Sequence, residues 1–289
     1  MNIIIYGHKG WIASYVIKYF KSMNINYYCS EFKVDDEENI ENELITINPN
    51  YMLSLIGRTY GEGYKTIDYL ELPGKLLDNI RDNLYSPFFL AHLAKKYNKH
   101  LTYMGTGCIF DGYEHDFLET EKPNFFGSSY SIVKGFTDRI MHLYENNVLN
   151  LRIRMPITDD LSERSFITKI LSYEKICSNN NSMSVLPDLI PIMYQMIINN
   201  KTGTFNFTNP GIISHNEILE LYKTIIDNNF TWITMSIEEQ NNILLSKRSN
   251  NKLSTEKIEN LYNIPHIKES ITNIFHNIST NNKIIKLEN

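Results

Sequence analysis

The sequence lacks the features that would assign it to a membrane or nucleic-acid-binding class. It contains no apolar run of about 18 residues, and the longest candidate, residues 189–198, includes Pro191 and Gln195 and is typical of a core helix. Positive charge is not in excess, because the formal net charge is −5, which argues against a dedicated nucleic-acid-binding protein. We therefore expect neither a membrane nor a nucleic acid as a partner.

Cysteine is also scarce. The 3 cysteines, Cys29, Cys108 and Cys177, are odd in number and widely spaced, which fits a reducing compartment. No Cys/His spacing suggests zinc, and we expect no metal. Because residues 2–6 already have the pattern of a buried strand, we expect no signal peptide and a cytoplasmic location.

Strand and helix patterns alternate along the chain, which predicts an α/β fold with a doubly wound parallel sheet of the Rossmann type. The predicted strands are residues 2–6, 26–29, 51–55, 101–104, 149–154 and 204–207. We expect residues 1–154 to form an NAD(P)-binding domain, to which a late strand near 203–208 returns. Residues 155–289 should form mainly a smaller, discontinuous substrate-binding domain.

The first strand leads into a glycine-rich turn that is typical of dinucleotide-binding proteins. The turn reads Gly7-His8-Lys9-Gly10-Trp11-Ile12-Ala13. Its glycines permit close approach of the backbone to a pyrophosphate, and the following helix adds N–H groups and the positive end of its dipole. The second strand ends in Ser30-Glu31-Phe32-Lys33, which carries both signs of charge, and Lys9 is a second candidate phosphate contact. We favour NADP(H) as the cofactor and leave NAD(H) open.

Further cofactor contacts are expected where other strands end near this turn. They are Ile56 and Arg58 after the third strand, Asn83 on a helix predicted from about 78 to 97, and Met155 and Pro156 after the fifth strand, together with Gly7, Gly10, Trp11 and Ile12 of the turn itself.

A central stretch, residues 101–134, contains side chains that can transfer protons. A short strand delivers Thr106 and Cys108 to its carboxyl end, and Tyr130 and Lys134 follow at a spacing that places them on one helix face. A hydroxyl, a phenol and an ammonium beside a thiol predict a ketone reductase with an added acid/base function. Two alternatives stay open: an isolated Tyr/Lys pair is typical of a solvated helix face, and a free cysteine is commonly a small buried hydrophobe.

The second half of the chain shows weaker patterns. Arg152 and Arg154 alternate with apolar residues, which predicts that at least one of them faces solvent or a sheet edge. Residues 214–217 form a capping box that opens a helix to about residue 227. The basic stretch 246–251 is either a loop that clamps a diphosphate or an ordinary connection.

Taken together, the motifs resemble those of the extended short-chain dehydrogenase/reductases. More narrowly, the whole chain resembles the bifunctional UDP-4-keto-6-deoxyglucose 3,5-epimerase/4-reductases that make UDP-L-rhamnose. The resemblance is carried by the turn at residues 7–12, by Thr106-Gly107-Cys108-Ile109-Phe110, by residues 122–128, 151–157 and 166–170, by the segment 205–220, and by Arg248-Ser249-Asn250-Asn251. The chain departs from the family at Ser54-Leu55-Ile56-Gly57, where relatives usually read Asn-Ala-Ala-Gly.

The resemblance implies a role for each of several residues. Thr106, Tyr130 and Lys134 match the family's reductive triad, in which Tyr130 and Lys134 also contact the cofactor, and Cys108 with Lys169 matches its epimerising acid/base pair. The implied substrate contacts are Asn124, Phe125, Arg164, Phe166 and Arg248.

The resemblance also implies partners. The expected substrate is UDP-4-keto-6-deoxyglucose, supplied by a separate 4,6-dehydratase, and a homodimer is common among relatives. Two other functions stay open: a 4-keto reductase alone, with Cys108 structural, and a non-catalytic nucleotide-binding regulatory subunit. The intact Thr/Tyr/Lys set argues against the regulatory subunit, because regulation does not require it.

Overall fold

The computed structural model describes residues 2–287, with side chains for residues 2–280. Its strands are β1 (Ile3–Tyr6), β2 (Tyr27–Cys29), β3 (Tyr51–Ser54), β4 (His100–Thr106), β5 (Gly112–Phe117), β6 (Val148–Ile153), β7 (Lys175–Ile176), β8 (Asn180–Asn181), β9 (Gly203–Asn206), β10 (Ile213–Ser214), β11 (Ile233–Thr234) and β12 (Asn251–Leu253). Its α-helices are α1 (Trp11–Ser22), α2 (Glu37–Ile47), α3 (Leu76–Ile80), α4 (Ser86–Lys96), α5 (Ser129–His142), α6 (Phe166–Leu171), α7 (Leu186–Ile198), α8 (His215–Ile225), α9 (Ile237–Ile243), α10 (Glu256–Glu259) and α11 (Ile267–Leu287). A 3₁₀ turn spans Ile67–Glu71, and a π-helical turn spans Arg81–Tyr85.

Six strands form a parallel sheet in the order β2-β1-β3-β4-β6-β9, which confirms the predicted doubly wound fold. Every residue of β1, β3, β4 and β6 is buried, as expected of strands covered on both faces. One face packs on α1 and α7, and the other on α2, α4 and α5. The order in which the strands are added reverses between β1 and β3, because β2 lies on one side of β1 and the later strands lie on the other. Ligands of such sheets bind at that switch point, beyond the carboxyl ends of the strands.

The prediction that Arg152 or Arg154 faces solvent is wrong, because β6 lies between β4 and β9 rather than at an edge. Arg152 is fully buried and forms an ion pair with Asp138 at 2.7 Å. Arg154 is equally buried, and its guanidinium donates to neutral oxygens, among them the Gly107 carbonyl at 3.1 Å and Asn181 Oδ1 at 2.5 Å. Hydrogen bonds of this kind to the terminal nitrogens offset the cost of burying a guanidinium group.

The residues after β6 build a second core. Isoleucines from α6, α8 and α11 pack together with Phe275. Helix α7, which lies within residues 155–289, instead packs beside α1 against the main sheet.

The predicted capping box is confirmed: Ser214 accepts from the Glu217 N–H, and the Glu217 carboxylate accepts from the Ser214 N–H. The division of the chain into two domains at residue 154 stays a prediction. Among the described helices, none combines the length and apolarity that a membrane span requires.

Candidate active site

The turn between β1 and α1 has the geometry of an anion-binding loop. Gly7 has a φ of +79°, and a Cβ there would lie 2.9 Å from the Ile56 nitrogen, so only glycine fits without displacement. Its carbonyl accepts from the Gly10 N–H at 3.0 Å, which closes the turn. Helix α1 then begins at Trp11 without a side-chain cap and without an acidic residue in its first turn. The helix N–H groups and dipole therefore remain available to a phosphate.

Asn83 holds the loop after β3 against this turn. Its side-chain oxygen accepts from the Arg58 N–H at 3.0 Å, and its amide nitrogen donates to the Arg58 carbonyl at 2.9 Å. The predicted helix around Asn83 is interrupted by the π-helical turn, because Pro87, four residues later, has no N–H to offer the Asn83 carbonyl. The Thr137 hydroxyl donates to that carbonyl instead, at 2.6 Å.

Thr106 and Cys108 lie at the carboxyl end of β4, where α5 begins. The Cys108 N–H donates to Thr106 Oγ1 at 3.1 Å, and the Ser131 hydroxyl donates to the Cys108 carbonyl at 2.8 Å. Ser128 caps α5 by accepting from the Ser131 N–H at 3.0 Å. The cap fixes Ser131, and Ser131 fixes the backbone of the thiol-bearing residue.

Tyr130 and Lys134 are both buried, so the solvated-face alternative is excluded. Burial raises the pKa of the Tyr130 phenol, and charge on Cys108 raises it further, while a hydrogen bond with Thr106 opposes the rise. Burial lowers the pKa of Lys134 to about 7, although the charges of Asp138 and Cys108 act to raise it. Lys134 is thus close to half protonated at neutral pH.

Lys134 donates a hydrogen bond to the hydroxyl of Tyr103, a residue that the sequence analysis did not single out. The Lys134 ammonium also lies 4.6 Å from the centre of the Tyr103 ring. Tyr103 precedes Thr106 by three residues on β4, so spacing alone gave no signal for this contact between strand and helix.

Two adjoining cavities meet at the catalytic side chains. The first, of about 620 Å³, is lined by all five predicted catalytic residues, and the second has about 730 Å³. Cys108, Tyr130 and Lys169 line both cavities and therefore lie where they join. Predicted cofactor contacts that line the first cavity are Gly10, Trp11, Ile12, Ile56, Arg58, Asn83, Met155 and Pro156. The other two predicted contacts in the turn, Gly7 at its start and the exposed Lys9, are not part of that lining.

Lys169, on α6, is the second candidate base. Burial and, to a smaller extent, the positive charges of Arg164, Arg248 and Lys65 together lower its pKa to about 8. The neutral amine, which can accept a proton, is therefore accessible near neutral pH.

The predicted substrate contacts are divided between the cavities. Phe125 and Arg248 line the second cavity, and Phe166 lines both. Arg164 lines the first cavity, 3.6 Å from the centre of the Tyr60 ring. Asn124 lies outside both, because its side chain bonds the backbone N–H and carbonyl of Asp111.

Asp68 is a further residue of the second cavity that the sequence analysis missed. It forms an ion pair with Arg248 at 2.6 Å and accepts from the Ser246 N–H at 2.9 Å. Although burial alone raises its pKa, hydrogen bonds from Arg248, Thr66 and Ser246 bring the pKa of Asp68 down to about 2. The basic loop at 246–251 is therefore anchored at the cavity wall by a carboxylate some 180 residues earlier.

Known proteins with similar sequences and structures cover nearly the whole chain, although no protein-family model matches it. The solved UDP-rhamnose synthase L780 of Acanthamoeba polyphaga mimivirus is 53% identical, with a TM-score of 0.94 over 96% of this chain and 99% of that one. A bifunctional dTDP-4-dehydrorhamnose 3,5-epimerase/reductase of Arabidopsis thaliana is 37% identical over 93% of this chain and 91% of its own length.

Two further proteins match over a similar share of this chain. The trifunctional dehydratase/epimerase/reductase RHM2 of Arabidopsis thaliana is 35% identical over 94% of this chain, which spans 41% of RHM2. A solved dTDP-4-dehydrorhamnose reductase of Clostridium acetobutylicum, at 18% identity and a TM-score of 0.79, shares the fold. The chain belongs to the family of bifunctional 3,5-epimerase/reductases of rhamnose nucleotides, which has the short-chain dehydrogenase/reductase fold.

Proposed function

We propose that the protein converts UDP-4-keto-6-deoxyglucose to UDP-L-rhamnose by epimerisation at C3 and C5 followed by reduction at C4. The observation that carries this proposal is the position of Cys108, Tyr130 and Lys169 at the junction of the two cavities. A sugar held there can meet a thiol, a phenol and an amine together. The substrate class is supported by the relatives, which act on UDP- or dTDP-linked 4-keto sugars by name.

The first cavity fits a nicotinamide dinucleotide. Gly7 leaves no room for a Cβ, and the uncapped start of α1 faces the same turn. Among the described residues the buried Nε1 of Trp11, beside this cavity, has no hydrogen-bond partner, so its N–H is available to a cofactor. Backbone N–H groups of the turn would hold the pyrophosphate, and Lys134 the nicotinamide ribose. When bound, the nicotinamide supplies the hydride that C4 accepts.

Epimerisation depends on the ketone at C4, which acidifies the protons on C3 and C5 because each carbanion is delocalised as an enolate. Cys108 and Lys169 act from opposite faces of the sugar, so that at each carbon one of them removes the proton and the other returns a proton to the opposite side. The lowered pKa of Lys169 suits this task, since a base works best with a pKa near the working pH. The two groups come from different parts of the fold, the loop after β4 and helix α6, which lets them approach the sugar separately.

Reduction at C4 requires a proton for the oxygen as the hydride arrives. Tyr130 donates that proton from its phenol, and Thr106 orients the carbonyl by a hydrogen bond. The positive charge of Lys134 stabilises the phenolate that Tyr130 leaves behind. Because the phenol is buried, this stabilisation acts in a medium of low dielectric and is correspondingly strong.

The test is a single reaction with purified protein, UDP-4-keto-6-deoxyglucose and NADPH in D2O. We expect UDP-L-rhamnose with deuterium at C3 and C5 and one NADPH oxidised for each sugar. NADPH oxidation without deuterium at either carbon would show a 4-keto reductase alone. Absence of both reactions would favour the remaining alternative, a non-catalytic nucleotide-binding regulatory subunit. A separate 4,6-dehydratase should supply the substrate, since RHM2 carries that activity by name in a chain more than twice as long.

We propose NADP(H) as the preferred cofactor, with NAD(H) also accepted. Lys9 is exposed in the phosphate-binding turn and Arg58 lines the first cavity, so both can approach a 2′-phosphate. We expect Lys9→Ala to raise the KM for NADPH by roughly 3- to 10-fold and leave that for NADH unchanged, because an exposed charge contributes modestly. An equal change for both cofactors contradicts the assignment.

We also propose a homodimer formed through α5 and the helical segment before α4. Ile132 and Phe136 on α5 and Leu143 directly after it recur at helical spacing and are exposed, Phe136 by 61% and Leu143 by 78%. Leu77 on α3 is 76% exposed. Light scattering should give twice the 33.8 kDa of one chain, and Phe136→Asp should halve that mass. A wild-type protein of one-chain mass overturns the proposal.

A further inference from the structure

Tyr103 and Lys134 form a buried pair behind the reductive site. Tyr103 is 1% exposed and Lys134 is 4% exposed, and the ammonium donates to the phenol oxygen. The two residues join the central strand β4 to α5, the elements that carry Thr106 and Tyr130. The pair is therefore fixed to the same two elements as the reacting groups.

Asp138 is a carboxylate whose charge acts on both members of the pair, but its oxygens already accept other hydrogen bonds. They accept from Arg152 Nε at 2.8 Å and Nη2 at 2.7 Å, and from Asn150 Nδ2 at 2.9 Å. Within the described side chains, Tyr103 is the group that accepts a hydrogen bond from Lys134. A buried ammonium without an acceptor is costly, so the phenol is what allows this lysine to carry charge at this position.

A phenol differs from a carboxylate in two ways that matter here. Burial raises the pKa of Tyr103, and the charges of Tyr130 and Asp138 raise it further, so the phenol stays neutral and does not cancel the positive charge of Lys134. A hydroxyl also both accepts and donates. It can accept from the ammonium and donate to the neutral amine, which keeps Lys134 in place in either protonation state.

We propose that Tyr103 is a positioning residue for Lys134, which it holds beside Tyr130 and sustains as a cation during C4 reduction. This inference rests on the proposed function only for the role of Lys134. The groups that act on the pair are Cys108 from the end of β4, Tyr130 and Asp138 from α5, and Arg152 from β6, which neutralises Asp138.

The test compares two deletions of a buried tyrosine hydroxyl. Tyr103→Phe removes the acceptor for Lys134. Tyr6→Phe is the matched control, because Tyr6 is also 1% exposed and its hydroxyl has no hydrogen-bond partner in the described part of the chain. With the already epimerised 4-keto sugar nucleotide and NADPH, we expect Tyr103→Phe to lower kcat by about 10- to 100-fold at pH 8. Deuterium exchange at C3 and C5 should be unchanged, and Tyr6→Phe should match the wild type in both assays.

The pH dependence has a defined sign. The charged form of Lys134 is the active one, so kcat for reduction falls as pH rises through its pKa. Loss of the acceptor lowers that pKa, so Tyr103→Phe should move the alkaline limb of the profile downward by about one unit. At pH 6, where more of the lysine is protonated, the deficit should shrink.

An NMR titration of the lysine side chains, labelled at Cε, provides a readout that is independent of activity. Lys134 should titrate at lower pH in Tyr103→Phe than in the wild type or in Tyr6→Phe, and this comparison stands even if the sugar is not a substrate. Three results overturn the proposal: an unmoved Lys134 titration, an equal loss of reduction in both variants, or an equal loss of exchange and reduction in Tyr103→Phe.

Discussion

Cys108→Ala is expected to stop the exchange of C3 and C5 protons with solvent, whereas Tyr130→Phe should stop hydride transfer and leave that exchange intact. Each variant removes one proton-transferring group from the junction of the two cavities, and each positioned acid or base contributes about 10²- to 10⁴-fold. The two losses should be separable because the ketone that activates the C–H bonds remains present when it cannot be reduced.

The supply of substrate allows a second separation of the two steps. With a 4-keto sugar that is already epimerised, Cys108→Ala should oxidise NADPH at close to the wild-type rate, because only the earlier step needs the thiol. Tyr130→Phe should stay inactive with either sugar. Cys29→Ala is the matched control for loss of a thiol, since Cys29 is a half-buried free cysteine on β2. If Cys108→Ala exchanges deuterium at the normal rate, the epimerase assignment is wrong.

The parts of the fold that were predicted from sequence are those fixed by local patterns. The isoleucines of β1 and the β-branched and aromatic residues of the other central strands mark a sheet that is buried on both faces. The capping box at Ser214 and Glu217 was found because both members of the pair lie within one helical turn.

The parts that were missed depend on partners far away in the chain. Arg152 is buried because Asp138, on α5, lies opposite it, and alternation along β6 carries no information about that helix. Asp68 meets Arg248 across 180 positions. The π-helical turn follows from Pro87 together with Thr137, of which only the proline is visible locally. Tertiary partners decide such features, so one sequence read by itself does not reveal them.

Lys134→Met should make the protein more stable while it abolishes reduction. Burial lowers the pKa of Lys134 from 10.5 to about 7, so the folded state resists carrying this charge. At 1.36 kcal/mol per pKa unit, this shift means that the charged lysine destabilises the folded state by roughly 5 kcal/mol below pH 7. Lys134→Met removes that destabilisation but also loses the hydrogen bond to Tyr103, which offsets part of the gain. We expect the free energy of unfolding to rise by roughly 2–4 kcal/mol at pH 6.

The gain should depend on pH in one direction. Between about pH 7 and 10.5 the unfolded chain binds the lysine proton and the folded protein does not, so wild-type stability rises with pH through this window. The advantage of Lys134→Met should therefore shrink between pH 6 and pH 9, as measured by urea unfolding. Lys252→Met is the control, because Lys252 is 39% exposed and paired with Asp116, and it should gain nothing. If the Lys134→Met protein is less stable than the wild type at every pH, the folded state stabilises the Lys134 ammonium rather than disfavouring it. In that case the buried charge of Lys134 would not lower the stability of the folded state, and the activation of Tyr130 by that charge would need a different explanation.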